Sequence, residues 1–121
     1  MSHALTAASM AAPAPNGAAA YRQRRTAKQM EAEVFARATR SIKETLAEPS
    51  PIAHARAVAD NRRLWDAVLM AVLDPANQLP QGLRAQLAGL SRALIRECDS
   101  DTPDLGFIAE MNEQVAAGLW S

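Results

Sequence analysis

The stretch "LRAQLAGLSRAL", from Leu83 to Leu94, decides the fold class of this chain. Its leucines recur at alternating steps of four and three residues, which places one apolar stripe along an α-helix. Pro80 precedes the stretch and suits the start of that helix. Cys98 continues the stripe, so we expect it to be buried as a small hydrophobic residue.

A second helix is predicted upstream, from about residue 51 to residue 73. Ser50 is suited to the N-cap and Pro51 to the first helical position, where the missing N–H of proline has no cost. The segment "DPANQLP", 74–80, ends this helix. The residues expected to face inward are Val58, Trp65, Val68, Leu69 and Val72.

The first and fourth helices complete the pattern. Thr26 and Gln29 have the spacing of a capping box and predict a helix that runs to about Ala47. Its expected apolar face is Met30, Val34, Phe35, Ala38, Ile42 and Leu46. Thr102 and Pro103 predict the start of the last helix, and the alternative is a start nearer Phe107, because Gly106 weakens the first turn. Its expected apolar face is Leu105, Ile108, Met111, Val115 and Leu119. Because no segment alternates in the manner of a strand, we predict an all-α protein, a small four-helix bundle with mostly antiparallel neighbours.

The chain of 121 residues holds one domain by length. Residues 1–20 are low in complexity and rich in alanine and proline, which predicts a disordered leader before a helical domain at 21–121. The leader has no positive segment of the kind that begins a signal peptide, and no later run is apolar enough to span a membrane. Together with a single cysteine, this favours a cytoplasmic protein.

Catalytic chemistry is not indicated by the sequence. Of the two histidines, His3 lies in the predicted disordered leader, and His54 has no second ligand or acid at helical spacing, so we expect His54 to be a solvated surface residue. No Ser-His-Asp set, phosphate-binding loop or zinc pattern occurs. Asp60 and Asp66 diverge on a helix and do not form a carboxylate pair. We therefore predict a non-enzyme with no catalytic, cofactor or metal site.

Charge leaves RNA binding open as an alternative. Thirteen basic residues balance thirteen acidic ones, so no net charge attracts nucleic acid. Four of the basic residues nevertheless cluster near the start and would suit phosphate contacts. These are Arg22, Arg24, Arg25 and Lys28.

The segment "DNRRLW", Asp60–Trp65, combines polar and apolar features in mid-helix. Trp65 is expected to be a core anchor, with Arg62 and Arg63 at its flanks. Asn61 falls on the apolar face, as does Asn112 in the fourth helix. We expect these two amides to fix how helices two and four meet, or to bind the backbone of a partner. The alternative is that both are ordinary exposed or locally bonded asparagines.

Three segments in this order resemble the FlaF family of flagellar biosynthesis regulators. They are "DNRRLW" at 60–65, "DPANQLPQGLRAQLAGLS" at 74–91 and "FIAEMNEQVAAGL" at 107–119. "AAYRQ" and "RTAKQMEAEVF" also fit, so the resemblance covers about residues 18–119. Ala27 replaces a proline that is frequent in the family, and the leader has no counterpart there.

The resemblance implies a regulator of flagellin production that binds flagellin as a secretion chaperone does and acts after transcription. It also implies FlbT, a regulator of flagellin translation, as a further partner. An amphipathic helix of flagellin would fit a groove on a small bundle. On that expectation, we predict partner binding by Arg62, Arg63, Trp65, Phe107, Met111, Asn112 and Leu119. An alternative for this site is that Trp65 and Leu119 are wholly internal, which leaves only its polar rim for the partner. The alternative is an RNA-binding regulator of flagellin mRNA translation.

Overall fold

The computed structural model describes the backbone of residues 17–120 and the side chains of residue 18 and residues 32–118. Within this part of the chain there are four α-helices and no strand. They are α1 (Gly17–Ala47), α2 (Pro51–Leu73), α3 (Gln81–Cys98) and α4 (Leu105–Trp120). The predicted all-α class is therefore confirmed.

Local capping residues determine where α2 and α4 start, and the predicted start of α4 is corrected. Ser50 caps α2 as predicted, since its hydroxyl accepts a hydrogen bond from the backbone N–H of Ala53 at 3.1 Å. α4 begins after Asp104, whose carboxylate accepts from the backbone N–H of Phe107 at 3.0 Å. The predicted start at Thr102 and Pro103 was wrong, because Asp104 lies directly before Leu105 and reaches the free amide.

The first helix begins earlier than the sequence pattern indicated. α1 starts at Gly17, so Ala18, Ala19 and Ala20 are helical and Thr26 lies inside the helix instead of at its N-cap. Alanine is the strongest helix former, and three in succession extend the helix past the predicted start. Residues 1–16, where the rest of the predicted disordered leader lies, are outside the described residues.

α1 and α2 form an antiparallel pair joined by the short connection 48–50. Near the connection, the Thr45 hydroxyl donates to the backbone carbonyl of Ala53 at 3.0 Å. Farther along, Phe35 and Trp65 meet edge to face, with ring centroids 5.8 Å apart and an interplanar angle of 90°. These contacts hold the two helices along most of the length of α2.

The core lies between all four helices. α2 packs against both α1 and α3, and α4 packs against α1. The main cluster is centred on the fully buried Ile42, Trp65, Leu94 and Ile108, and Cys98 is buried beside it, as expected. Val72, Leu79, Leu87 and Ala88 form a smaller cluster at the other end of α2 and α3.

Among the residues whose side chains the structure describes, two that were predicted to face the core along α1 are exposed. Val34 and Leu46 both have large exposed fractions, 47% and 55%. The buried face of α1 passes through Phe35, Ala38, Thr39, Ile42 and Thr45, and so it is rotated slightly from the predicted stripe. Leu46 and Val34 lie at the edge of that face, where α1 is open to solvent.

The connection 74–80 is held by side chains that bind the free carbonyls at the end of α2. The Arg84 guanidinium donates to the carbonyls of Val72 at 3.0 Å and Asp74 at 3.1 Å. The Asn77 amide donates to the carbonyl of Ala71 at 2.9 Å, and its oxygen accepts from the Leu79 N–H at 2.9 Å. Asn77, in the stretch "NQLP" at 77–80, therefore stabilises the end of α2.

Candidate functional site

The six residues Asp60–Trp65 divide between the core and two outer faces of α2. Asn61 and Trp65 are fully buried, and Leu64 is nearly so. Arg62 and Arg63 project to different sides, since neighbouring residues on a helix are separated by about 100°. One segment therefore contributes to the core, to an ion-pair cluster and to a surface groove.

A chain of buried hydrogen bonds joins three helices through this segment. The indole N–H of Trp65 donates to Oδ1 of Asn112 at 2.8 Å, and Nδ2 of Asn112 donates to Oδ1 of Asn61 at 2.7 Å. Nδ2 of Asn61 donates to the carbonyls of Ala38 at 3.0 Å and Ala57 at 2.8 Å. The two asparagines predicted to act on helices two and four thus meet in the core, where α1, α2 and α4 converge. Their role in setting the register of these helices remains a prediction.

Arg62 is committed to an ion-pair cluster. Its Nε and a terminal nitrogen donate to the two carboxylate oxygens of Asp99 at 2.7 and 3.0 Å, and its other terminal nitrogen donates to Asp66. The hydrogen bond from Arg62 lowers the pKa of Asp99, and the same contact raises the pKa of Arg62. Asp99 caps the end of α3, so Arg62 fastens α2 to α3.

Arg63 lies over a groove between α1 and α2 with a volume of about 270 Å³, here named the Arg63 groove. Its lining is Val34, Arg37, Ala38, Asp60, Arg63, Leu64 and Ala67. The floor is apolar, and Val34 in its wall is 47% exposed. Asp60 is bound by Arg63 at 3.3 Å and by the Ser41 hydroxyl at 3.4 Å. Arg37 has no ion-pair partner among the described residues.

The apolar surface continues beyond the Arg63 groove along α2. Arg63, Ala67 and Met70 are separated by four and three residues and therefore share one face of the helix. Met70 is 74% exposed to solvent, which is a large fraction for a flexible apolar side chain. The Arg63 groove and this face of α2 thus combine apolar contact area with two cationic residues at the rim, Arg37 and Arg63.

A second, larger groove of about 500 Å³ lies between α1 and α4 and is here named the Asn112 groove. Its lining is Ala32, Phe35, Ala36, Thr39, Arg40, Lys43, Asn112, Glu113 and Ala116. Lys43 and Glu113 form an ion pair of 2.8 Å at its side. The residues of α1 in this groove lie on the opposite side of the helix from those in the Arg63 groove.

The predicted partner-binding residues do not form one surface. Trp65 and Asn112 are fully buried and bonded to each other, so the assignment of these two as direct partner contacts is corrected: neither reaches the surface. Arg63 lies over the Arg63 groove, and Arg62 is held by Asp66 and Asp99. Phe107 is exposed and Met111 half-buried on α4, while the side chain of Leu119 is outside the described residues.

Sequence reasoning missed Val34, Arg37 and Met70. Val34 has the spacing of a core position, and only its exposure in the fold reveals it as a surface residue. Met70 lies on the side of α2 away from Trp65 and Val72, so helical spacing alone could have predicted its exposure. Arg37 carries no motif. Its proximity to Arg63 depends on how α1 and α2 pack.

None of the helices that the structure describes is both long enough and apolar enough to pass through a membrane. His54 is exposed in the first turn of α2, as predicted.

Comparison with known protein families confirms the predicted resemblance to the FlaF family. The family model described as "Flagellar protein FlaF" matches residues 17–119, which include all of α1, α2 and α3 and nearly all of α4. A search of curated proteins finds no match, and neither does a search of solved structures. Since the family model covers most of the sequence, this chain belongs to the FlaF family of flagellar proteins.

Proposed function

We propose that this chain is a non-enzymatic, cytoplasmic regulator of flagellum biogenesis that binds flagellin and supports its synthesis or secretion. Membership in a family of flagellar proteins supports a role in flagellum biogenesis. The exposed surface of α1 and α2 supports binding of a helical segment. The flagellin segment would be an amphipathic helix, held by its apolar side until it is passed on.

The observation that carries this proposal is the exposed apolar face that runs from the Arg63 groove to Met70. An amphipathic helix binds through side chains three and four residues apart, which insert into a groove between two helices. Val34, Ala67 and Met70 offer apolar contacts, and methionine adapts to ligands of imperfect fit. The predicted contact by Arg63 is retained here, as a rim charge beside that face.

The proposal is tested by capture of purified flagellin on the immobilised full chain. We expect Met70→Asp and Arg63→Asp each to weaken capture by at least about tenfold, because they place a carboxylate on the apolar face or reverse a rim charge. Circular dichroism should show unchanged helicity, since both side chains are exposed.

Two control variants match these changes. Ile52 is 72% exposed on the same helix, close to the 74% of Met70, but lies at its other end. Arg92 is an exposed arginine on α3 with no ion pair among the described residues. Ile52→Asp and Arg92→Asp should leave capture unchanged. Equal capture by all four variants would remove this surface from consideration.

Co-purification from flagellated cells, with and without nuclease, separates the two hypotheses about the partner. Recovery of flagellin after nuclease treatment supports direct protein binding. If flagellin or its mRNA is recovered only without nuclease, the RNA-binding alternative replaces the proposal. The side chains of Arg22, Arg24, Arg25 and Lys28, on which that alternative depends, are outside the described residues.

A further inference from the structure

The two neighbouring arginines of α2 differ in how far their hydrogen-bond donors are used. Arg62 donates to both carboxylate oxygens of Asp99 and also to Asp66. Arg63 makes one hydrogen bond among the described residues, to Asp60 at 3.3 Å, and its side chain is 74% exposed. Because a guanidinium carries five N–H donors, most of those on Arg63 are free to bind a partner.

Arg37 supplies a second cation from the opposite wall of the Arg63 groove. It is exposed on α1 and has no ion pair among the described residues. The hydrogen bond from Asn61 to the carbonyl of Ala38 brings their neighbours Arg63 and Arg37 to the same stretch of the groove. The described lining contains these two guanidiniums and one carboxylate, that of Asp60, so its net charge is positive.

The apolar part of this surface lies to one side of the two arginines. Val34 on α1 and Ala67 on α2 line the groove there, and Met70 follows on the same face of α2. Met70 is seven residues beyond Arg63, which is about 10 Å along the helix axis at a rise of about 1.5 Å per residue. A helix that lies in the groove would therefore meet cations at one end and apolar side chains over the next two turns.

We propose that the Arg63 groove selects an amphipathic helix with an acidic residue on each flank of its apolar stripe, at one end of that stripe. One carboxylate binds Arg37 and the other binds Arg63 through charge-assisted hydrogen bonds, while apolar side chains about two turns away contact Val34 and Met70. This inference rests on the proposed function, in which the groove receives a helical segment, and it adds the charge pattern by which that segment is chosen. A helix with lysines at the same positions would be repelled by the two guanidiniums.

The test is a titration of the full chain with three capped synthetic peptides, followed by isothermal calorimetry. All three are helices with the same stripe of leucines, and they carry glutamate, glutamine or lysine at the two flanking positions. We expect the glutamine peptide to bind about tenfold more weakly than the glutamate peptide at low salt, and the lysine peptide more weakly still. Salt screens exposed charges, so the difference should shrink as the ionic strength rises.

Reversal of both groove charges gives a sharper comparison. Arg37→Glu/Arg63→Glu should invert the order, so that the lysine peptide binds most tightly. Arg92→Glu/Arg96→Glu changes the net charge by the same amount at exposed positions of α3 and should keep the order of the parent. Circular dichroism should show unchanged helicity in both double variants, because all four side chains are exposed.

Equal affinity of the parent for the glutamate and glutamine peptides, or no binding of any peptide at millimolar concentration, overturns the proposal. An order that the α3 control also inverts would show an effect of net charge alone and would overturn it too. Flagellin capture that depends on Met70 but on neither groove arginine would keep the proposed function and reject the acidic flanks. The predicted order of peptides without any capture of flagellin would do the reverse, so the two proposals fail separately.

Discussion

Asn112 and Asn61 place polar groups in the centre of an apolar core, and three of the four hydrogen bonds of this pair cross between helices. Removal of one amide leaves buried donors and acceptors without partners, which costs more than the bond itself. At Asn112, both the indole N–H of Trp65 and the oxygen of Asn61 would lose their partner.

We therefore expect Asn112→Ala to lower the free energy of unfolding by about 3 kcal/mol. Urea unfolding measures this loss, followed by the fluorescence of Trp65 in a chain in which Trp120→Phe has removed the other tryptophan. Gln114→Ala removes an exposed amide from the same helix and should change stability by less than about 0.5 kcal/mol. A similar effect of both substitutions would show that the buried hydrogen bonds of Asn112 do not stabilise the fold.

Cys98 gives a second prediction at the scale of one residue. Burial, and then the neighbouring charge of Asp99, raises the pKa of its thiol from 9.0 to about 11. Since the folded state holds this proton more tightly than the unfolded state, its contribution to stability is complete below about pH 9 and is lost as the pH rises towards 11. The parent should lose more stability over this range than Cys98→Ala, as measured by urea unfolding at each pH. Equal losses would contradict the raised pKa.

Some residue assignments followed from the sequence and others did not. The burial of Trp65 and the position of Asn61 on its apolar face follow from helical spacing alone. The separate environments of Arg62 and Arg63 do not. Asp99, which holds Arg62, is 37 residues away along the chain, and only the packing of α2 on α3 brings them together.

At the scale of the helix, the sequence predicted the bounds of α2 but not the start of α1. Ser50 and Pro51 form an unambiguous start, and 51–73 is the observed helix. Thr26 and Gln29 look like a start too, but the alanines before them also favour a helix, and nothing local ends it there. The start of α4 similarly depended on which of several capping residues is used, Thr102 or Asp104.

A substitution at Gly89 tests how far intrinsic helix propensity limits the stability of α3. It lies exposed in the middle of the helix, and a Cβ added there would meet no atom within 4 Å. Because glycine loses more backbone freedom on folding than alanine, Gly89→Ala should stabilise the chain by about 0.5 to 1 kcal/mol, as measured by thermal unfolding. Gly82→Ala, in the first turn of the same helix, should stabilise it less. Destabilisation by Gly89→Ala would show that the added methyl group does meet a neighbouring atom at this face of α3.

The Arg63 groove and the Asn112 groove lie on opposite sides of α1, and this predicts that flagellin binding depends on the first alone. Met70→Asp should weaken flagellin capture by at least about tenfold, whereas Ala36→Leu, at an exposed position that lines the Asn112 groove, should leave capture unchanged. Capture assays on both variants and on the double variant measure this. Loss of capture from Ala36→Leu in a folded protein would indicate that flagellin contacts both grooves.

The packing of α4 on α1 also has a consequence for how the protein is made. The ion pair between Lys43 and Glu113 closes a loop of 70 residues, while α1 and α2 are joined by a connection of three residues, 48–50. The first two helices can therefore associate early during translation, but the face of α1 that packs against α4 stays uncovered until the segment Leu105–Trp120 has been synthesised. A nascent chain halted before that point would expose this apolar surface to chaperones and proteases, and only the last sixteen helical residues remove the exposure.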